Sequence, residues 1–394
     1  MKNGALFFWK TKCRNTHEVN FNKRHTYFVR VSANYERNKM LLTARNAKKN
    51  VRFENPKSVF YKREVKKIAP TDGIIKLSDI RNAAARIAPY IKRTPLFYDE
   101  DLSVRFNSNF YLKHELLQKT GAFKVRGAFN KLLSLSEAER RRGIVAVSGG
   151  NHAQAVAYAA KTLGCKALIL MPEFTPQNYV EKTKNYGATV GLFPKMADAF
   201  AKAKEYESEN LIYVHPFDDK DVVAGQGTVG LEILADAPQV TDVIVSIGGG
   251  GLAGGVAAAI KSIKPNVKIW GVETRGAASM RAALDANKIV TLSEITSIAR
   301  TLGAPAVAPL TFALTRKYLS DVTVVDDAEA VREMFYLLDK TKVLTEPATS
   351  CTLAAAERLR ENFTPESHVV LILCGGNIGL DDLFQLKRTK EKNF

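Results

Sequence analysis

Cysteine is scarce in this chain, and long apolar runs are absent. Only four of the 394 residues are cysteine, and no two of them form a CxxC pair. A disulfide framework or a structural zinc site is therefore not expected. No stretch reaches the roughly 18 consecutive apolar residues that a membrane-spanning helix needs, which excludes a membrane protein of that kind. The longest weakly polar run, 245–260, is rich in glycine and is better read as a strand, a turn and a helix start.

Acidic residues are scarce near the N-terminus, where aspartate is missing from the whole of 1–70. This extension has 18 Lys and Arg and four acidic residues, so it carries +14 of the net charge of +18. The nearly balanced body has no helix-turn-helix, zinc-finger or RNA-recognition motif, and we expect no nucleic-acid partner. An Arg-rich, acid-poor, amphipathic segment is typical of a mitochondrial or plastid transit peptide; the alternatives are a disordered tail and an extension that docks to the body.

The body contains short β-branched runs that alternate with longer alanine-rich helical patterns. The predicted strands are Ile144–Val147, Ala167–Met171, Thr189–Phe193, Asp242–Ile247, Lys268–Val272, Val322–Val325 and His368–Leu373. The predicted helices include Ala153–Leu163, Ala197–Glu207, Ala253–Ile263 and Ala328–Leu338. Such alternation predicts an α/β fold with a parallel, doubly wound sheet, in which ligands bind beyond the carboxyl ends of the strands. Three glycine clusters fall at those ends: Ser148–Asn151, Gly248–Gly251 and Gly375–Gly376.

The segment Ser246–Gly255 is the strongest phosphate-binding signal. Its glycines let successive N–H groups converge, and the helix that follows adds the positive end of its dipole. It lacks the Lys-Ser/Thr that ends a Walker loop, so an ATPase site is not predicted. The loop also matches GxGxxG at Gly249, Gly251 and Gly254, and Glu273 lies about where a ribose-binding acid would fall. By itself it leaves open a dinucleotide, another phosphorylated ligand, or a turn without a ligand.

Lys124 lies among small and apolar residues, in the segment Gln118–Ala128. A lone lysine is usually a surface residue, but the glycines and alanines around this one predict close packing. Burial lowers the pKa of a lysine toward the range in which the free amine is nucleophilic. Such an amine forms a Schiff base with a carbonyl cofactor. Together with a phosphate cradle free of basic residues, Lys124 favours pyridoxal 5′-phosphate (PLP) over a nicotinamide cofactor.

Seven motifs in order make the sequence resemble the PLP-dependent threonine/serine dehydratases, a family with the tryptophan synthase β-like fold that is related to serine racemase. The resemblance covers about Ile75 to Leu386. It rests on segments 120–128 (TGAFKVRGA), 148–154 (SGGNHAQ), 215–219 (HPFDD), 224–228 (AGQGT), the glycine tetrad, 346–350 (EPATS) and 374–377 (CGGN).

The resemblance implies a role for each residue of the site. Lys124 would hold PLP as a Schiff base and then take the substrate Cα proton, and Asn151 would hydrogen-bond the 3′-oxygen of the cofactor. The phosphate would be bound by Gly248, Gly249, Gly250, Gly251 and Leu252. The substrate carboxylate would be bound by Ser148, Gly150, Asn151 and His152. Cys374 would face the pyridine nitrogen; its alternative role is that of a small core residue, and Asn151 could instead be a helix N-cap.

Cys374 and Gly149 bear on which reaction follows. A thiol is a weak, neutral partner for the ring nitrogen, so the ring is a poorer electron sink and early loss of the β-hydroxyl is favoured. Racemising relatives carry a serine at the position of Gly149 as the acid on the opposite face, and glycine has no proton to give. Elimination is therefore expected over racemisation, and a serine at position 149 should raise racemisation slightly.

Two further positions depart from the family pattern. Metal-dependent relatives place a Glu and a downstream Asp around a cation; this chain has Glu273 but Ser279. A monovalent or divalent cation is therefore left open, and its ligands are unknown. Ala122 replaces the more usual serine of the lysine motif.

These observations predict a PLP enzyme of fold type II, with two doubly wound α/β domains and the cofactor in the cleft between them. The large domain is expected to span 71–142 and 219–394, and the small domain 143–218. The expected activity is deamination of L-threonine or L-serine, or both, by a homo-oligomer. The alternatives are a serine racemase, a hydroxyaspartate dehydratase, an NAD-binding oxidoreductase, and a non-catalytic PLP or amino-acid binder.

Overall fold

The strands form two sheets, one of six strands and one of four. A computed structural model describes residues 75–393, so the extension 1–70 and the predictions made for it lie outside the described residues. In chain order the strands are β1 Leu96–Tyr98, β2 Asn109–Lys113, β3 Ile144–Val147, β4 Ala167–Pro172, β5 Thr189–Phe193, β6 Ile212–Tyr213, β7 Asp242–Ser246, β8 Lys268–Thr274, β9 Asp321–Val325 and β10 His368–Ile372.

The helices cover both faces of these sheets. In chain order they are α1 Leu77–Ile87, α2 Glu100–Phe106, α3 Lys124–Ser134, α4 Glu137–Arg142, α5 Asn151–Thr162, α6 Gln177–Asn185, α7 Met196–Ser208, α8 Lys220–Asp236, α9 Gly251–Ile263, α10 Ser279–Ala286, α11 Pro309–Tyr318, α12 Asp327–Tyr336, α13 Pro347–Arg358 and α14 Leu380–Asn393. A π-helical turn, Leu337–Thr341, follows α12. Among the described residues, no helix is long and apolar enough to cross a membrane.

The six-stranded sheet has the order β1-β2-β10-β7-β8-β9, and the four-stranded sheet has the order β5-β4-β3-β6. All neighbouring strands are parallel except the β1–β2 pair. The prediction of a parallel α/β fold is therefore confirmed. All four strands of the smaller sheet lie inside the predicted small domain 143–218, whose boundaries stay a prediction.

Alternation along β10 shows why both faces of the larger sheet are covered. Val369 and Leu371 pack on one face with α13, whereas Val370 and Ile372 pack on the other with α9. Successive side chains of a strand point to opposite faces, so an unbroken apolar run such as β10 needs a helix on each side. The same holds in the smaller sheet, where β3 packs against α5 on one face and α7 on the other.

A group of four charged side chains, three of them fully buried, fixes the start of α3 against its neighbours. Arg126 pairs with Glu115 at 2.8 Å and with Glu232 of α8 at 2.7 Å, and Lys113 of β2 pairs with Glu232 at 2.6 Å. The side chains of Lys113, Glu115 and Arg126 are fully buried. Two cations and two anions balance each other, which is what such burial requires. The network lies two residues from Lys124 and ties its helix to β2 and α8.

Candidate active site

Lys124 is the first residue of α3, and the loop before it is tied to the loop after β10. The N–H of Phe123 donates to the carbonyl of Cys374 at 3.0 Å, and Ala122 forms an antiparallel bridge with Gly375. The two sequence motifs, about 250 residues apart, therefore form one unit. The structure brings together the lysine and the cysteine that the sequence singled out.

The amino group of Lys124 lies in a half-buried position and has a single oxygen partner. Its Nζ donates to the carbonyl of Pro216 at 2.9 Å and lies 5.2 Å from the centre of the Phe123 ring. Burial lowers the pKa of Lys124 to about 8. A sizeable fraction of the amine is therefore neutral near physiological pH, as a nucleophile or a base requires.

The glycine tetrad forms the turn between β7 and α9, and its shape depends on the absence of side chains. Gly250 has a φ of +90°, in the left-handed region that favours glycine. A Cβ on Gly249 would lie 2.1 Å from Cδ1 of Phe217, because the aromatic ring packs directly on this backbone. The turn leads into the N-terminus of the thirteen-residue helix α9. Its free N–H groups and helix dipole suit a phosphate group.

Asn151 begins α5, and a chain of hydrogen bonds fixes which way its amide points. Lys182 can only donate, and its Nζ donates to Oδ1 of Asn377 at 2.8 Å. Nδ2 of Asn377 then donates to the Thr120 carbonyl at 2.7 Å and to Oδ1 of Asn151 at 2.9 Å. Nδ2 of Asn151 is left to donate, and it does so to Glu346 at 2.8 Å. The NH₂ group of Asn151 is thus a fixed donor that lies beside Gly375, and it suits an oxygen acceptor there.

Glu346 is a member of the site that belongs to one of the sequence motifs, but no role was predicted for it. Its Oε1 accepts hydrogen bonds from Asn151 and, at 3.0 Å, from Thr301, and Tyr179 lies 3.5 Å from its Oε2. Burial raises the pKa of this carboxyl above its usual range, and the three hydrogen bonds counteract part of that rise. The sequence feature that could have indicated Glu346 is an acidic residue directly before a proline, Pro347, because proline is common at the first position of a helix.

Cys374 follows β10 and is buried beside helix α13. Its Sγ lies 3.1 Å from Oγ1 of Thr349 and 3.8 Å from Oγ of Ser246. Burial raises the pKa of Cys374 to about 12. The side chain is therefore a neutral thiol at physiological pH. Thr349 was not singled out from the sequence, because only the fold brings α13 against this loop.

The predicted carboxylate-binding residues form the turn between β3 and α5. Oγ of Ser148 accepts the N–H of Gly150 at 3.1 Å and stabilises the turn. Nε2 of His152 is paired with the Val214 carbonyl at 2.9 Å, and burial lowers the pKa of its imidazole to about 3. The ring of His152 is a buried, neutral group, so its main-chain N–H is the part suited to a substrate carboxylate.

Gly149 packs against a hydroxyl from the loop after β4. A Cβ at this position would lie 2.6 Å from Oγ1 of Thr175, a buried atom without a hydrogen-bond partner. A cavity of about 530 Å³ adjoins this turn and reaches Tyr179, Arg300, Thr301 and Glu346. The space beside the predicted carboxylate-binding turn is large enough for an amino acid.

Glu273 has a structural role: it caps the start of helix α10. Its carboxylate is fully buried and accepts the N–H groups of Met280 and Arg281, at 2.8 and 2.7 Å, at the start of α10. Burial raises its pKa to about 8. This carboxylate is occupied by main-chain donors, which argues against the ribose-binding role that the dinucleotide interpretation needs. No group of three or more His, Cys, Asp or Glu residues in the described range could hold a metal ion.

These residues fit PLP. The backbone of the glycine turn leaves no room for side chains, Lys124 has a partly neutral amine, and the NH₂ group of Asn151 lies beside Gly375, next to Cys374. Two largely parallel sheets with the site residues on the loops at their strand ends are the arrangement expected of fold type II. Fold and site together define a PLP-dependent enzyme of that class.

Comparisons with known proteins agree with this class. The chain belongs to the family of pyridoxal-phosphate dependent enzymes, whose model matches residues 87–375. An L-threonine ammonia-lyase of Thermotoga maritima is 41% identical over 310 residues, covering 78% of this chain and 77% of the relative. The catabolic L-threonine dehydratase of Escherichia coli is 38% identical over 316 residues, covering 79% and 96%. The structure of maize serine racemase matches with a TM-score of 0.76 at 36% identity, covering 81% of this chain and 98% of that one.

Proposed function

We propose that this protein is a threonine/serine ammonia-lyase. It converts L-threonine to 2-oxobutanoate and ammonia, and L-serine to pyruvate and ammonia. The observation that carries the proposal is the half-buried, partly neutral amine of Lys124. Its loop is joined to the loop of the neutral thiol Cys374 by the main-chain hydrogen bond from Phe123 to the Cys374 carbonyl. The lyase and dehydratase relatives from Thermotoga and Escherichia support the same chemistry.

The residues of the site have separate roles in binding and in catalysis. PLP, when bound, supplies an aldehyde that an amine can capture and a ring that withdraws electrons from the substrate Cα. Lys124 would hold the cofactor and would serve as the general base for the substrate Cα proton. The main-chain donors of Gly248–Leu252 would bind the phosphate, and Asn151 would donate to the 3′-oxygen. The turn from Ser148 to His152 binds the substrate carboxylate.

The thiol of Cys374 sets the balance between elimination and racemisation. A neutral thiol would give the ring nitrogen no negative partner, which favours early loss of the β-hydroxyl. Gly149 offers no acid on the opposite face. Serine racemase activity remains the second candidate because of the match to the maize enzyme, and hydroxyaspartate dehydratase activity is an outcome of the same test.

A kinetic comparison of L-threonine, L-serine and 3-hydroxyaspartate tests the proposal. Oxo acid is measured with a coupled reducing enzyme, and D-serine is measured separately. We expect oxo acid from threonine or serine in excess of any D-amino acid. D-serine as the main product would assign the racemase instead.

Replacing Lys124 by Ala tests the central residue. Loss of a general base costs roughly 10²–10⁴-fold, and this variant also loses the cofactor attachment, so turnover should disappear. Borohydride reduction followed by peptide mass spectrometry should give a pyridoxyl adduct on Lys124 in the wild type. A variant with a tenth of wild-type activity would contradict the assignment.

Location and assembly are further parts of the proposal. We place the protein in the mitochondrion or plastid on the composition of residues 1–70, and we expect a homo-oligomer by the family resemblance. Fusing 1–70 to a fluorescent protein and locating it in cells tests the first. Light scattering of the purified holoenzyme tests the second.

A further inference from the structure

The side chain of Asn377, the last residue of the motif CGGN, connects three parts of the site. Its Oδ1 accepts a hydrogen bond from Nζ of Lys182 in α6 at 2.8 Å. Its Nδ2 donates to the carbonyl of Thr120, in the loop before Lys124, at 2.7 Å and to Oδ1 of Asn151 at 2.9 Å. An ammonium group can only donate and a carbonyl oxygen can only accept, so Lys182 and Thr120 both require the same orientation of this amide. Asn377 therefore presents an N–H group to the oxygen of Asn151.

Glu346 holds the other end of the Asn151 amide. Nδ2 of Asn151 donates to Oε1 of Glu346 at 2.8 Å, and the same carboxylate oxygen accepts the hydroxyl of Thr301 at 3.0 Å. Asn151 thus lies between a donor, Asn377, and an acceptor, Glu346. If its amide turned by half a revolution, nitrogen would face nitrogen and oxygen would face oxygen. These three side chains are buried, so a lost hydrogen bond would leave an unpaired polar group in the interior.

Two glycines from different motifs leave room for this arrangement. A Cβ on Gly375 would lie 2.7 Å from Oε1 of Glu346 and 3.1 Å from Nδ2 of Asn151. Gly121 has a φ of +74°, and a Cβ there would collide with Oδ1 of Asn377. A side chain at either position would push the hydrogen-bonded groups apart. The segments 120–128 and 374–377 therefore both have a glycine where these three side chains need space.

We propose that Asn377 and Glu346 are a pair of positioning residues that orient the amide of Asn151, so that its NH₂ group and not its oxygen faces the 3′-oxygen of PLP. The proposal rests on the proposed function, in which Asn151 is assigned to that oxygen. Nδ2 carries two hydrogens and uses one on Glu346, which leaves the other for the cofactor. A donor at the 3′-oxygen stabilises its deprotonated form. A turned amide would place an oxygen against an oxygen and favour the protonated form.

Exchanging the amide and the carboxylate tests the pair. In Asn377→Asp, a carboxylate beside Lys182 faces the oxygen of Asn151, so the Asn151 amide should turn. Its oxygen then faces Glu346. Adding Glu346→Gln supplies an NH₂ group at that position, so the double variant again has one donor and one acceptor around Asn151, in the reverse order. We expect the double variant to unfold at a higher temperature than Asn377→Asp, although its Asn151 amide stays turned.

The bound cofactor reports the orientation of Asn151 without turnover. In Asn377→Asp and in the double variant, bound PLP should absorb at shorter wavelength than in the wild type, as in Asn151→Ala, because the 3′-oxygen is protonated. PLP should also bind roughly 2- to 10-fold more weakly, which is the worth of one hydrogen bond. A purely structural role predicts instead that the more stable double variant regains the wild-type spectrum and affinity. That result would overturn the proposal, and so would a double variant no more stable than Asn377→Asp.

Lys182→Met is the matched control. It also removes a hydrogen bond from the Asn377 side chain, but the Thr120 carbonyl still fixes the amide, so the spectrum and the affinity should stay as in the wild type. A shift like that of Asn151→Ala would refute the pair. Should Asn377→Asp not fold, Asn377→Ala combined with Glu346→Gln replaces it. Neither neighbour then dictates the orientation, both absorption bands should appear, and a spectrum with the wild-type band alone would contradict the proposal.

The spectra separate a failure of this pair from a failure of the proposed function. A wild-type protein that binds PLP but forms no oxo acid would contradict the proposed function. The wild-type spectrum in the double variant would contradict the role of Asn377 and Glu346.

Discussion

At the scale of single residues, burial shifts the pKa values of the titratable groups of the site in favour of their neutral forms. It lowers the pKa of Lys124 to about 8 and that of His152 to about 3, and it raises that of Cys374 to about 12. In each case the charged form is the one that loses hydration. The lowered pKa of Lys124 lets the amine act as a nucleophile, and main-chain N–H groups are the donors available to the dianionic phosphate.

Capture of PLP by the cofactor-free protein should depend on pH through Lys124. Burial lowers the pKa of this amine from the ordinary 10.5 to about 8, so the neutral fraction rises with pH through about 8 and is nearly complete above it. The rate of capture, followed by absorbance, should rise up to that pH and then level off. The Lys124→Ala protein, which has no amine at this position, serves as the negative control for the absorbance change. A rate still rising at the pKa of an ordinary lysine would show that the amine is not perturbed.

The sequence was informative about Lys124 itself but not about its partners. Small neighbours in a lysine motif predict close packing, and the lowered pKa agrees with that prediction. The Pro216 carbonyl is 92 residues away, and Thr349 meets Cys374 only because α13 packs beside β10. Contacts of this kind depend on tertiary packing, which local sequence patterns do not record.

At the scale of elements, the loops after β3, β7 and β10 carry the site, as the glycine clusters predicted. Seven strands were predicted within two residues of their observed ends. The strands β1, β2 and β6 were not predicted: β6 has two residues, and β1 and β2 are joined through a helix rather than a hairpin turn. Short strands leave too little alternation to recognise.

Replacing Gly249 by Ala should weaken PLP binding. The added Cβ would meet the ring of Phe217 at 2.1 Å, so the ring or the phosphate turn must move. Overpacking costs about 1–3 kcal/mol, which corresponds to roughly 5- to 150-fold in the dissociation constant if the turn moves. Titration of the cofactor-free protein with PLP measures this.

Two variants make the Gly249 test specific. Adding Phe217→Ala removes the obstacle and should restore part of the affinity. Gly191→Ala, in β5, is the control: its Cβ would meet only side-chain atoms of Leu170 and Phe193, at 3.2 and 3.4 Å. If Gly249→Ala bound PLP as the wild type does, close packing of this turn would not matter for the cofactor.

Replacing Gly149 by Ser should raise racemisation only when space is made for the new side chain. Its Cβ would lie 2.6 Å from Oγ1 of Thr175, a β-branched residue with restricted rotation. The double variant with Thr175→Ala loses a buried hydroxyl that has no partner, so little stability should be lost. We expect more D-serine from L-serine in the double variant than in Gly149→Ser alone. Equal amounts in the two variants would mean that Thr175 does not restrict position 149.

At the scale of the whole molecule, the described residues contain all the groups that the mechanism uses. The family model begins at residue 87, and the first described helix begins at Leu77. The parallel sheets were predictable because alternation of strands and helices is a long-range regularity of the sequence. The division into domains at 142 and 218 stays a prediction.

A protein that starts at Pro70 should keep the activity of the full chain. The residues removed carry +14 of the net charge but none of the groups placed in the site. Oxo acid formation and PLP content of the two proteins, measured side by side, provide the check. A truncated protein that folds and binds PLP but is inactive would assign the extension a part in catalysis.

The buried charges around Arg126 constrain how this sequence can vary. Arg126, Lys113, Glu115 and Glu232 balance only as a set, and exchange of one for a neutral residue leaves an uncompensated charge in the interior, at a cost of about 3–5 kcal/mol. Acceptable substitutions must therefore come in opposite-sign pairs. Among descendants of this gene, we expect these four positions to covary, and the covariation to mark the strand and helices that hold the catalytic lysine in place.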